Sequence, residues 1–171
     1  MTNETAPDVA APRLPDELVS SSTFLLKRLG FAAKEQAMQG YERSGLNPYH
    51  HAVLAVLDEG ARETQNAIAD ALGYDRGQLV GLLDELEQRG LVERRRDPDD
   101  RRRHTVSLTP DGKRALGKLR ALAAKLEDDF LAVLDDDERA RLYALLRQLA
   151  RKHLPRCDFA PPEVVRLRRA T

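Results

Sequence analysis

Apolar residues recur at helical spacing along most of this chain, and alternate with polar ones in one short stretch, residues 104–108. No proline intervenes between Asp16 and about Glu42. There Leu18, Leu25, Leu29, Ala32, Ala33 and Gln36 fall near a 3.6-residue period, which predicts one long helix. Ser44-Gly45-Leu46-Asn47-Pro48 reads as a turn, with Pro48 suited to the first position of the next helix. That short helix carries Val53, Leu54, Val56 and Leu57 and closes at Gly60. Thr64 fits the N-cap of a further helix bearing Ile68 and Leu72, closed by Gly73. Asp75 fits the N-cap of its successor. In that helix Leu79, Leu82, Leu83 and Leu86 form one buried stripe, and Gly90 ends it.

Leu91 to Arg95 and His104 to Leu108 read as two strands around the loop tip Asp97-Pro98-Asp99-Asp100, which makes a β-hairpin. Thr109-Pro110-Asp111 supplies an N-cap, an N1 proline and a first-turn acid. Behind it Leu116, Leu119, Leu122, Leu126, Phe130 and Val133 repeat at three and four residues. Asp135 to Asp137 opens a last helix with Leu142, Leu145, Leu146 and Leu149, ended by Pro155.

The fold class predicted is mainly α with a small β-hairpin: a winged helix-turn-helix with flanking long dimerisation helices. The expected organisation is a flexible arm over 1–15, a first dimerisation helix over 16–46 and a DNA-binding unit over 47–108. C-terminal dimerisation helices over 109–154 and a tail over 155–171 complete it. The stripes of the outer helices have no evident partner in the middle unit. Long amphipathic helices need something to bury against, so a second copy about a two-fold axis is expected.

Composition narrows the classes. The 171 residues suit one ordinary domain; 42% are hydrophobic and 33% charged, as in a soluble globular protein. The 28 basic and 28 acidic side chains cancel, so nucleic-acid binding must rest on local charge. A single Cys excludes an intrachain disulfide and favours a reducing compartment. No apolar run approaches membrane-spanning length, no signal peptide is evident, and a cytoplasmic location without membrane contact is expected.

The candidate chemistry is recognition of double-stranded DNA. Thr64 to Gly90 has the layout of a helix-turn-helix. Arg76, Gly77, Gln78 and Gly81 lie near the N-terminal end of its second helix and off the Leu stripe, where they would meet the major groove. Thr64 and Gln65, at the start of the first helix, join them as candidate DNA contacts. Gln78 suits bidentate pairing with adenine, and Arg76 suits guanine or a phosphate. Bare glycines let the backbone come close. In the hairpin, Arg94, Arg95, Arg96, Arg101, Arg102 and Arg103 put six arginines in ten residues. Asp97, Asp99 and Asp100 leave a local charge of +3. Such a tip suits a narrow minor groove.

The stretch TQNAIADALGYDRGQLVGLLDELEQRGLVERRRDPDDRRRHTVSLTPDGKRAL resembles the winged helix-turn-helix of MarR-type regulators. Its most specific piece is Asp100-x-Arg102, followed by Leu108-Thr109-x-x-Gly112. The resemblance extends over roughly residues 16 to 152 and implies a homodimer on a near-palindromic operator. It implies that Arg102 reaches the minor groove, oriented by Asp100. It further implies a repressor released by a small, often aromatic or phenolic, effector bound near Tyr49, His50 and His51. Adjacent residues on a helix point about 100° apart, so both histidines are not expected to line one pocket. The chain departs from the family's pattern at Ala67, where a capping-box Glu is usual, and at Gly77 and Gln78, where Ser or Thr is usual. Base preference is therefore not transferred.

Other classes are disfavoured. There is no Gly-rich phosphate loop, HExxH or nucleophile elbow, so no enzyme is expected. No zinc spacing or cofactor motif appears. The alternatives kept are a helical protein-interaction module without DNA binding, and a redox- or pH-responsive regulator.

Overall fold

The computed structural model describes residues 13–60, 63–96 and 104–154. The chain divides into two compact units, with the boundary between Gln36 and Ala37. The first holds α1 (Asp16–Val19) and most of α2 (Ser22–Tyr41). The single long helix expected here is interrupted at Ser20 and Ser21. The Ser20 hydroxyl donates to the Asp16 carbonyl at 2.7 Å, and Ser21 Oγ accepts from the Phe24 amide at 3.4 Å. Serine side chains offer the backbone these alternatives and so end one helix and begin another. Leu25, Leu26, Leu29 and Phe31 of α2 are exposed.

The second unit begins with the end of α2 and a 3₁₀ turn, Glu42–Ser44. Then come α3 (Pro48–Gly60), β1 (Glu63–Thr64), α4 (Gln65–Leu72) and α5 (Arg76–Gln88). They are followed by β2 (Val92–Arg96), β3 (His104–Leu108), α6 (Pro110–Phe130) and α7 (Asp136–His153). The strands form an antiparallel sheet in the order β1-β3-β2. Val92 pairs with Leu108 and Arg96 with His104, which sets the hairpin register. The two-residue β1 adds to β3 through Glu63–Val106 and Thr64–Thr105. It is too short to leave a periodic signal.

The core gathers Val53, Leu54 and Leu57 of α3, Ile68 of α4, and Leu79, Leu83 and Leu86 of α5. Tyr41, Ala69, Leu82, Val92, Val106, Leu116 and Leu119 complete it. The last two are a finding, because the whole α6 stripe was expected to lack a partner in this unit. The first half of α6 packs on α3 and buries Leu116 and Leu119 there; beyond the helix end, Val133 is 89% exposed.

A lock joins the start of α6 to the base of the hairpin. Thr109 Oγ1 accepts from the Gly112 amide at 3.0 Å and donates to the Gly90 carbonyl at 2.7 Å. A Cβ on Gly112 would stand 2.0 Å from the Leu91 carbonyl oxygen, so only glycine fits. This explains physically why threonine and glycine stand at this spacing. At the far end, Asp135 and Glu138 form a reciprocal capping box for α7. Helix α7 buries none of its residues, and Tyr143, Leu145, Leu146 and Leu149 are exposed.

Candidate nucleic-acid interface

Helices α4 and α5 are set by their caps. Thr64 Oγ1 accepts from the Ala67 amide at 3.2 Å, half of a capping box, since Ala67 returns nothing. Gly73 adopts φ 68°, the left-handed conformation that turns the chain out of α4. Asp75 Oδ1 then accepts from the Gln78 amide at 2.9 Å and starts α5. The stripe Leu79, Leu82, Leu83 and Leu86 is buried. At about 100° per residue, Gly77, Val80, Gly81 and Asp84 fall on the opposite side. Arg76, Gly77, Gln78 and Gly81 are all exposed, while Thr64 and Gln65 are partly buried at the entry to α4. A Cβ on Gly81 would meet nothing within 4 Å, so no packing requires that glycine.

The hairpin is fastened to this helix by Arg94. Its Nη2 lies 2.6 Å from Asp84 Oδ1 and its Nη1 3.5 Å from Glu87 Oε2. Its backbone amide donates to Glu87 Oε1 at 3.3 Å. The side chain is only 20% exposed. Arg94 therefore spends its charge on α5 rather than standing free among the other arginines. It also offsets two carboxylates that would otherwise repel a phosphate backbone. Arg95 pairs with Glu93 at 2.9 Å on an exposed surface, and Arg96 is exposed at the end of β2. Asp100, Arg101, Arg102 and Arg103 lie outside the described residues.

The three candidate effector residues diverge. Tyr49 packs edge-on against Tyr74, with ring centroids 5.8 Å apart. His50 is buried at 2% exposure and faces α5. Its Nδ1 accepts from the Asn47 amide at 3.2 Å. Its Nε2 stands 3.1 Å from Glu85 Oε2 without reaching hydrogen-bond geometry. Burial holds its pKa below the ordinary histidine value; Glu85 works against that and Arg89 with it. His51 turns instead to Tyr41, its Nδ1 2.6 Å from the phenolic oxygen. Burial, then the nearby Arg120 guanidinium, lowers its pKa as well. Arg120 in turn binds Asp58 at 2.8 Å.

Sequence reasoning missed Tyr41, Asp84, Glu85 and Glu87. Their roles depend on which helix faces which, and no spacing along the chain encodes that. Among the described residues, no group of three or more His, Cys, Asp or Glu could hold a metal ion. No described helix is long and apolar enough to cross a membrane.

Comparison with known proteins agrees with this geometry. The MarR family model matches residues 44–103, from the turn before α3 to the residue before β3. CouR, a transcriptional repressor solved bound to a 23-mer DNA duplex, is 33% identical. That match covers 82% of this chain and 99% of CouR, with a TM-score of 0.74. The chain belongs to the MarR family. MarR relatives extend the likeness beyond the family model's span. CouR from Rhodococcus jostii RHA1, solved bound to p-coumaroyl-CoA, is 30% identical. It covers 80% of this chain and 96% of that one, with a TM-score of 0.66. A putative transcriptional regulatory protein for the hcr operon of Thauera aromatica is 35% identical over 63% of this chain. The match spans 65% of that relative's length. These MarR-family relatives are regulators, not enzymes.

Proposed function

We propose that this chain is a sequence-specific regulator that binds double-stranded DNA as a homodimer and represses a nearby operon. A small aromatic or phenolic effector then releases it from a near-palindromic operator. The observation that carries the reading is the Arg94 clamp. It fixes an arginine-bearing hairpin to a helix whose exposed face presents Arg76, Gly77, Gln78 and Gly81. In this reading the N-terminal end of α5 enters the major groove and Arg95, Arg96 and Arg101 to Arg103 flank it, with Arg102 in the minor groove oriented by Asp100. Arg94 holds the two parts in register. The DNA-bound CouR supports double-stranded DNA as the partner.

Dimerisation covers the exposed apolar residues of α7 and gives the molecule two reading heads for one duplex. The phenolic acyl group of the CouR ligand supports an effector of that class. His50 is buried, whereas Tyr49 and His51 are partly exposed, so effector contact falls to those two.

Anisotropy titration of operator duplexes at two salt concentrations tests the reading. Specific binding should weaken steeply with salt as counterions are released. Arg102→Ala should cost about 1–3 kcal/mol. Salt-independent or absent binding would favour the second reading, an interaction module without DNA binding, which the zero net charge keeps open.

A further inference from the structure

Asn47 and His50 form a reciprocal cap at the start of α3. Asn47 Oδ1 accepts from the His50 amide at 2.9 Å, and His50 Nδ1 accepts from the Asn47 amide at 3.2 Å. An imidazole here fills the place that Glu or Gln takes in an ordinary capping box. Unlike a carboxylate, it has a second working end. Because Nδ1 accepts, the proton of the neutral ring sits on Nε2. That nitrogen points to α5, 3.1 Å from Glu85 Oε2.

A second contact joins the same two parts. Gly45, at φ 66° in the turn before α3, lies against Arg89, which caps the C-terminal end of α5. Arg89 Nη1 is 3.0 Å from where a Gly45 Cβ would stand. The turn at residues 45–50 thus meets α5 at two positions, one helical turn apart.

We propose that this turn is a latch on the groove-reading helix, with His50 as its positioning residue: Nδ1 closes the α3 cap while the Nε2–H dipole faces the Glu85 carboxylate at 3.1 Å and draws α5 toward the turn. The inference rests on α5 being the helix that enters DNA. The latch requires a neutral ring in one tautomer. A second proton makes Nδ1 a donor facing the Asn47 amide, donor against donor, and the cap opens. The charged groups facing the ring are Glu85 of α5 and Arg89 at its C-cap, which act in opposite senses. Arg120 of α6 faces His51 instead.

The test uses the full chain. Long-range nitrogen–proton NMR at about pH 7.5 should find His50 as the neutral Nε2–H tautomer. On acidification, the amide signals of Arg76 to Gly81 should move in step with its titration. Glu85→Ala removes an exposed carboxylate and should keep thermal stability, yet weaken operator binding about fivefold or more. His50→Gln restores an acceptor to the cap. It should keep thermal stability at about pH 7.5, weaken operator binding about as much as Glu85→Ala because the arm toward Glu85 is gone, and lose the acid-linked movement of α5.

An Nδ1–H tautomer would overturn the latch. So would α5 signals indifferent to His50, or Glu85→Ala binding like the wild type. If the wild-type chain binds no duplex at all, the proposed function fails, and the NMR result alone decides the latch.

Discussion

Gly81→Ala should make the protein more stable and a poorer DNA binder. Gly81 lies inside α5, five positions past its first residue, and faces away from the leucine stripe. A methyl group there meets no heavy atom within 4 Å, so it adds no strain. Replacing an interior helical glycine with alanine contributes about 0.8–1.0 kcal/mol from propensity alone. For a chain of this length that raises the melting temperature by about 2–4 °C. On DNA the same methyl occupies space between the helix and the base edges. A tenfold loss of affinity, about 1.4 kcal/mol, is expected. Scanning calorimetry and fluorescence anisotropy on one preparation read both effects. A lower melting temperature would refute the open-space argument. A higher melting temperature with unchanged affinity would refute the placement of this face against the groove.

Gly112→Ala should act in the opposite sense. A Cβ 2.0 Å from the Leu91 carbonyl must displace backbone, costing about 3 kcal/mol in urea unfolding; near-wild-type stability would show that the lock gives way easily. Arg94→Ala should cost about 1 kcal/mol of stability, since its partners are partly exposed. It should cost more in operator affinity, because Asp84 and Glu87 are then uncovered; equal small losses would count against the clamp. Stability should also fall on acidification. His50 and His51 both have lowered pKa values in the fold, so the unfolded chain takes up protons first. Their contribution is present above about pH 6.5 and declines below it, toward their lowered folded values. Urea titrations at neutral and mildly acidic pH check this against a His51→Asn control.

Local signals were legible where one residue does one local job. Thr64, Asp75, Thr109 and Asp135 sit at helix starts, and Gly73 closes α4. The leucine stripe of α5 marked its buried face without any knowledge of what it packs on. What escaped were features made by two distant segments. β1 exists only because β3 is beside it. The split between α1 and α2 turns on two serine hydroxyls that bind backbone instead of water. Arg94 reads as one more basic residue in a run, and its different role depends on Asp84 and Glu87 arriving across the α5–β2 corner. Likewise His50 and His51 are adjacent in sequence but serve different neighbours.

The seat of Gly112 against Leu91 has a mechanical consequence. Helix α6 is about 32 Å long at 1.5 Å per residue, and its first turn and the root of the hairpin form a single joint. Moving the distant end near Phe130 sideways by about 3 Å inclines the whole rod by about 5°. Because that joint is tight, such a tilt is carried into the strands, so the helix acts as the handle of a lever and the described end of β2, at Arg95 and Arg96, as its working end.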